Sequence, residues 1–106
     1  GIFDDPSKTF IDLYMKSGLY IAELVKRLYN SNGLKEAFPN PGDRLKHILE
    51  NQVYGFAPSE IIYNISTNFI FGNLSQDISR KNFVLADTIP AAKEGRIKEL
   101  VDKYFG

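Results

Sequence analysis

One stretch near the start of the chain, Lys8–Tyr29 (KTFIDLYMKSGLYIAELVKRLY), constrains the fold more than any other. It opens with a short apolar run that ends at Asp12, and a turn follows. Apolar residues then recur with the spacing of one helix face, at Ile21, Leu24, Val25 and Leu28. A strand, a loop and a helix in this order form the first half of a βαβ unit, which predicts a parallel α/β sheet.

The loop between that strand and helix, residues 13–18, is the first candidate for a site. It lies at the carboxyl end of the strand and at the positive end of the helix dipole, where open α/β sheets bind nucleotides. Its only glycine is Gly18, so the dinucleotide motif GxGxxG is absent. Two interpretations therefore stay open, a nucleotide-type site and an ordinary strand-to-helix turn.

Composition excludes several classes of function. Thirteen basic and thirteen acidic residues cancel, so no basic excess marks a self-sufficient nucleic-acid binder. The absence of cysteine excludes disulfides and thiolate metal sites and is typical of a cytoplasmic protein. The longest uncharged run, Ile61–Gln76, holds too many polar residues for a membrane span. We expect neither a metal nor a membrane partner, and the oligomeric state stays open.

The first residues, Gly1–Pro6, lack an initiator Met and a basic region typical of a signal peptide. We therefore expect residues 1–106 to be a single partial domain, excised from a longer protein.

The rest of the chain predicts a three-layer, Rossmann-like half with three parallel strands in the order 3-2-1 and flanking helices. The first strand should have an unpaired edge or one paired to a neighbour. Its elements are expected as follows: strands at Thr9–Asp12, Gln52–Ala57 and Asn82–Asp87; helices over 19–30, from Asn40 as N-cap to about Asn51, from Pro58 to Gly72, and from Ile97.

Three finer expectations concern helix ends and faces. Gly33 or a neighbouring Asn should end the first helix in the left-handed conformation. The lone His47 should be a surface or packing residue. The helix that follows Pro58 should present Ile61, Ile62, Ile65, Phe69 and Ile70 to the core.

At this level the chain resembles the class I S-adenosylmethionine-dependent adenine-N6 DNA methyltransferases of bacterial restriction-modification systems. Their first strand and turn read aromatic-hydrophobic-Asp-Pro-x-x-Gly-Ser-Gly, and FIDLYMKSG at residues 10–18 is similar. Asp12, Ser17 and Gly18 match this motif. The run HILENQVYGF at residues 47–56 resembles the family's approach to its second strand, and Ala86-Asp87 resembles the end of its third.

The resemblance implies binding of S-adenosylmethionine and roles for these residues. Asp12 would hold the methionine ammonium, Ser17 and Gly18 would line the cofactor loop, and Asp87 would accept from the adenine amino group. Lys16 and Glu60 are further candidates, for the cofactor carboxylate and the ribose. DNA would be bound through parts of the parent protein outside this chain.

The chain departs from the family pattern at several positions. Leu13 replaces the loop Pro, Lys16 replaces the first loop Gly, and Ala57 stands where an acid normally binds the ribose. No Asn-Pro-Pro-Tyr or Asp-Pro-Pro-Tyr segment, which the family uses for catalysis on an extruded adenine, occurs in the sequence. We therefore expect no catalytic residue here and no methylation by this chain alone.

Each candidate also has an alternative interpretation without a ligand. Asp12 and Asp87 fit the acids that often precede helices, and Gly18 could serve only the turn. Tyr14 and Tyr20 fit packing positions. For the whole chain, the alternatives are a non-catalytic, methyltransferase-like interaction domain and a generic Rossmann-type nucleotide binder.

Overall fold

The computed structural model describes residues 2–72, 74 and 77–106. Strands β1 (Phe10–Asp12), β2 (Val53–Ala57) and β3 (Phe83–Leu85) form one parallel sheet in the order β1-β2-β3. This confirms an α/β fold with three parallel strands and flanking helices. All three strands are shorter than the sequence pattern indicated. Residues expected at strand ends, such as Thr9, Gln52 and Asp87, lie in the connections instead.

Six helices and a short 3-10 turn at Ile2–Asp4 accompany the sheet in the described part of the chain. The helix expected over 19–30 and the one expected to end near residue 51 have those bounds, whereas α5 was not anticipated. The helices are α1 (Leu19–Asn30), α2 (Asn32–Ala37), α3 (Pro41–Asn51), α4 (Glu60–Phe71), α5 (Ile89–Lys93) and α6 (Ile97–Phe105).

Side-chain caps explain where several helices begin. Asn40 Oδ1 accepts a hydrogen bond from the Asp43 N–H at 3.1 Å, which confirms the predicted N-cap of α3. The prediction that Gly33 or a neighbouring Asn ends α1 in a left-handed conformation is wrong. Ser31 ends α1 in an extended conformation with φ of −72° and caps the start of α2, so Gly33 lies inside α2.

The two faces of β2 are covered by different layers. Val53 and Ala57 lie on one face, in a core that α1, α3 and α4 complete. On the other face the fully buried ring of Phe56 lies 5.2 Å from the ring of Phe105 and 5.7 Å from that of Tyr104, both on α6. The sheet is therefore the middle of three layers.

The burial of α4 differs from the expectation. Ile61, Ile65 and Phe69 are 71%, 50% and 57% exposed, so their assignment to the core is wrong, whereas Ile62 and Ile70 do pack against it. Ser66 and Thr67 are buried instead. Their hydroxyls donate to the carbonyls of Ile62 and Tyr63, each at 2.7 Å, and a hydroxyl satisfied within its own helix is cheap to bury.

Arg44 is a buried cation that joins three helices. Its guanidinium donates to the carbonyls of Tyr29, Phe38 and Pro39 at 3.0–3.2 Å, where α1 and α2 end. Carbonyls at helix C-termini carry partial negative charge, so they partly replace a carboxylate partner. Arg44 thereby attaches α3 to the ends of α1 and α2.

His47 is a packing residue, as the sequence suggested. Its ring stacks on Phe38 at 4.3 Å between centroids, and its Nε2 lies 2.8 Å from the Pro6 carbonyl oxygen. Of the polar loop expected over 73–81, positions 73, 75 and 76 lie outside the described residues. None of the described helices combines the length and the apolar character that crossing a membrane requires.

Glu50 on α3 gives the fold a testable dependence on pH. The Ser79 N–H, at 2.9 Å, and the Lys46 ammonium, at 3.0 Å, hold the pKa of Glu50 below its ordinary value of 4.5. The resulting stabilisation is present above the unfolded-state pKa and is lost as the pH falls through the lower folded-state pKa. We expect Glu50→Gln to lower the free energy of unfolding by about 1 kcal/mol at pH 7.

Urea unfolding between pH 2.5 and 7 measures this effect. The difference in the free energy of unfolding between wild type and Glu50→Gln should shrink below about pH 4.5. Glu36→Gln, at an exposed acid on α2, is the matched control and should leave the pH profile unchanged. If the free energy of unfolding falls equally with decreasing pH in wild type and Glu50→Gln, the Glu50 carboxylate does not stabilise the fold.

Candidate functional site

The loops that follow β1 and β3 meet at the carboxyl end of β2. The Met15 N–H donates to the Phe56 carbonyl at 2.8 Å, and the Ala86 N–H donates to the Ala57 carbonyl at 2.8 Å. The hydroxyl of the buried Thr88 donates to the Leu13 carbonyl at 2.6 Å and so connects the two loops directly. The carboxyl edge of the sheet is therefore one connected structure.

Met15 holds the β1–α1 loop in place. Its side chain is fully buried on β2, over Gly55, where a β-carbon would lie only 2.5 Å from the Met15 sulfur. Gly55 thus provides the space in which Met15 lies. The loop on either side of Met15 keeps its position because this one side chain is enclosed by the core.

Gly55→Ala should therefore destabilise the chain by about 1–3 kcal/mol, since an added methyl group overpacks the Met15 site. Denaturant unfolding should show a lower midpoint with an unchanged slope. In a Met15→Ala background the same change should cost much less, because the competing sulfur is gone. Additive effects of the two substitutions would show that Met15 and Gly55 do not compete for this space.

A cavity of about 660 Å³ opens beside this loop. Its volume lies within the range of roughly 300–1,000 Å³ typical of small-molecule sites. Four of the six residues singled out from the sequence border it, namely Asp12, Lys16, Ser17 and Gly18. The full lining is Asp12, Tyr14, Lys16, Ser17, Gly18, Leu19, Tyr20 and Glu23.

Asp12 and Ser17 each have a local structural role. Asp12 Oδ1 accepts from the Tyr14 N–H at 3.1 Å, and Ser17 Oγ accepts from the Leu19 N–H at 3.3 Å. The second carboxylate oxygen of Asp12 accepts no hydrogen bond from residues 2–72, 74 and 77–106. One oxygen therefore shapes the turn, and the other can accept a hydrogen bond from a ligand.

Gly18 is required by packing as well as by the turn. Its φ is +91°, and a β-carbon there would lie 2.9 Å from the Ser66 carbonyl oxygen of α4. A glycine lets the backbone adopt this conformation and lets α1 begin close against α4. The need for glycine at this position follows from the fold, whether or not a ligand binds.

Gly18→Ala tests that packing against a matched control. Gly95, after α5, also has a positive φ, of +68°, but no atom lies within 4 Å of its missing β-carbon. Gly95→Ala should cost about 1 kcal/mol for conformational strain alone. Gly18→Ala adds a steric clash and should cost about 2–4 kcal/mol in thermal or denaturant unfolding. Equal costs would show that α1 and α4 are not closely packed here.

Asp87 and Glu60 are not among the residues that line the cavity. Asp87 Oδ1 accepts from the Ile89 N–H at 3.0 Å, so this acid stabilises the start of α5. Glu60 is exposed in the first turn of α4. Ala57, where the resembling family has an acid, is fully buried in the core. The β2 end therefore contributes no acceptor to the cavity.

Two tyrosines and Glu23 are part of the lining that sequence reasoning did not assign to the site. Tyr14 and Tyr20, interpreted as packing residues, are 42% and 59% exposed. Glu23 lies on the outer face of α1, about one turn after Leu19 and Tyr20. A helical projection of α1 would have placed it beside them, because residues three and four apart share a helix face.

Comparison with protein families, with curated proteins and with solved structures finds no match to this chain. Within residues 2–72, 74 and 77–106, no group of three or more His, Cys, Asp or Glu side chains could hold a metal ion.

Proposed function

We propose that this chain is the cofactor-binding part of an S-adenosylmethionine-dependent adenine-N6 DNA methyltransferase from a type II or type III restriction-modification system. The observation that carries the proposal is the cavity of about 660 Å³ at the end of β1, bordered by the residues that resemble the family's cofactor loop. Asp12, Ser17 and Gly18 belong to both the motif and the cavity.

The charges around the cavity fit a ligand with both signs of charge. S-adenosylmethionine carries an ammonium, a sulfonium and a carboxylate. The carboxylates of Asp12 and Glu23 suit the two cations, and the Lys16 ammonium suits the carboxylate. The exposed rings of Tyr14 and Tyr20 add faces that attract a cation.

The course of the chain after β3 also supports a methyltransferase-like half with the strand order 3-2-1. The chain crosses to the opposite face of the sheet, where Val101 and Phe105 of α6 border a cavity with Ile11 of β1. In doubly wound folds the chain crosses the sheet in this way, and the next strand then pairs with the free edge of the first strand. In the described part of the chain, β1 has β2 as its only strand neighbour.

S-adenosylmethionine bound here would supply its methyl group to the N6 amine of an extruded adenine; the amine would lose one proton to solvent, and S-adenosylhomocysteine would be the other product. Residues of this chain bind and orient the cofactor. The adenine and the DNA backbone would be held by other parts of a cytoplasmic parent protein, because no Pro-Pro-Tyr segment is present here.

One observation favours a second candidate function, a non-catalytic interaction domain with a methyltransferase-like fold. Ala57 at the end of β2 is buried and apolar, and the exposed Glu60 is not part of the cavity lining. A methyltransferase-like domain that has lost cofactor binding would be expected to lack the acid that accepts hydrogen bonds from the ribose, as this chain does at Ala57.

Ligand-dependent thermal unfolding tests the proposal. A tenfold excess of S-adenosylmethionine over its Kd should add about 1.4 kcal/mol to the free energy of unfolding, which is about 5–10 °C in Tm. Asp12→Asn keeps an oxygen for the Tyr14 N–H but loses the charge. It should weaken binding about tenfold or more.

Asp102→Asn, an exposed acid on α6, is the matched control and should bind as wild type does. ATP and adenosine belong in the same series. Stabilisation by ATP without stabilisation by S-adenosylmethionine would favour a generic nucleotide binder. No shift with any of the three would contradict the proposal and favour the interaction domain.

A further inference from the structure

Helix α4 carries an exposed apolar row that the candidate site does not use. Ile61, Ile65 and Phe69 follow one another every four residues, so they lie on one side of the helix. They are 71%, 50% and 57% exposed. We refer to these three residues as the α4 stripe.

The α4 stripe itself is uncharged, and the only charged residue on its helix is Glu60, which directly precedes Ile61 at the helix start. Positions 61–72 contain no Asp, Glu, Lys or Arg, and the exposed residues beside the stripe on α4 include Asn64 and Asn68. Each side chain of the stripe exposes roughly 100 Å², so the stripe exposes about 300–350 Å². Patches of this size often mark interaction sites.

We propose that the α4 stripe binds the α4 stripe of a second copy of this chain, in an antiparallel pair related by two-fold symmetry. The spacing of the stripe supports this partner because it is symmetric about Ile65. In an antiparallel pair Ile65 lies against Ile65 of the second copy, and Ile61 lies against Phe69. A two-fold contact requires such self-complementarity.

The charge pattern favours a second copy over other occupants. A partner with a charged surface would find only the Glu60 carboxylate to pair with on α4, whereas a second stripe matches the uncharged residues 61–69. Helices that lie on membranes carry Lys and Arg beside the apolar face. The only charged residue of α4 is Glu60, which a phospholipid surface would not attract.

The exposed area sets the strength of the pair. Stable interfaces bury about 800 Å² on each partner, and the stripe offers less than half of that. The dimer should therefore be weak, with a Kd between about 10 µM and 1 mM.

Sedimentation equilibrium of this chain from about 5 µM to 1 mM measures the association. Wild type should shift from monomer towards dimer within that range. Ile65→Glu places two carboxylates against each other at the symmetry axis and should raise the Kd at least tenfold. Ile89→Glu is the matched control, the same substitution at a 42% exposed residue of α5, and should leave the Kd unchanged.

Cross-linking tests the orientation in a way that does not depend on the glutamate variant. Because the chain has no cysteine, a single introduced cysteine is the only thiol. With a short thiol cross-linker, Ile65→Cys should link to itself. Ile61→Cys should link to Phe69→Cys in a mixture and only poorly to itself.

Three outcomes would overturn the proposal. The first is a monomer at every concentration up to 1 mM, with or without binding to phospholipid vesicles. The second is equal weakening by Ile65→Glu and Ile89→Glu. The third is efficient linking of Ile61→Cys to itself, which would require a parallel pair.

Discussion

The candidate site depends on one packing interaction, the burial of Met15 against Gly55. The strand before the loop is only three residues long, so the sheet by itself fixes little of the loop. Met15 fills the space left by the missing side chain of Gly55, and its N–H donates to the Phe56 carbonyl. Asp12 and Lys16 border the cavity because Met15, which lies between them in the loop, is enclosed by the core.

The helix that follows the loop is held at its start by close backbone packing and at its end by a hydrogen bond. At its start, Gly18 lies against the Ser66 carbonyl of α4, and at its end the Arg44 guanidinium binds the Tyr29 carbonyl. Between these points Ile21, Leu24 and Leu28 are buried. Apolar burial stabilises α1, and the two end contacts set where along its axis it lies. The cavity beside its first turn therefore has a defined wall on the helix side.

The two helical layers differ in how completely they cover the sheet. One layer packs α1, α3 and α4 into a continuous core, whereas α6 on the other face has no buried residue and packs against Tyr54 and Phe56. The exposed row on α4 belongs to the well-packed layer. These residues are exposed on the outer side of a helix whose inner side is packed in the core. Their relative positions are therefore fixed before any partner binds.

Local chemistry determined a large part of this structure. Short apolar runs, helical spacing and a capping residue predict the α/β class, the bounds of α1 and the cap at Asn40, because each depends on residues within a few positions. The same short-range logic could not choose the buried side of α4, because apolar residues occur on several sides of this helix. Only its neighbours decide that Ser66 faces inward and Ile61 outward. They also decide that Tyr20 and Glu23 join the cavity while Asp87 and Glu60 do not line it, because the lining depends on how separate elements pack together.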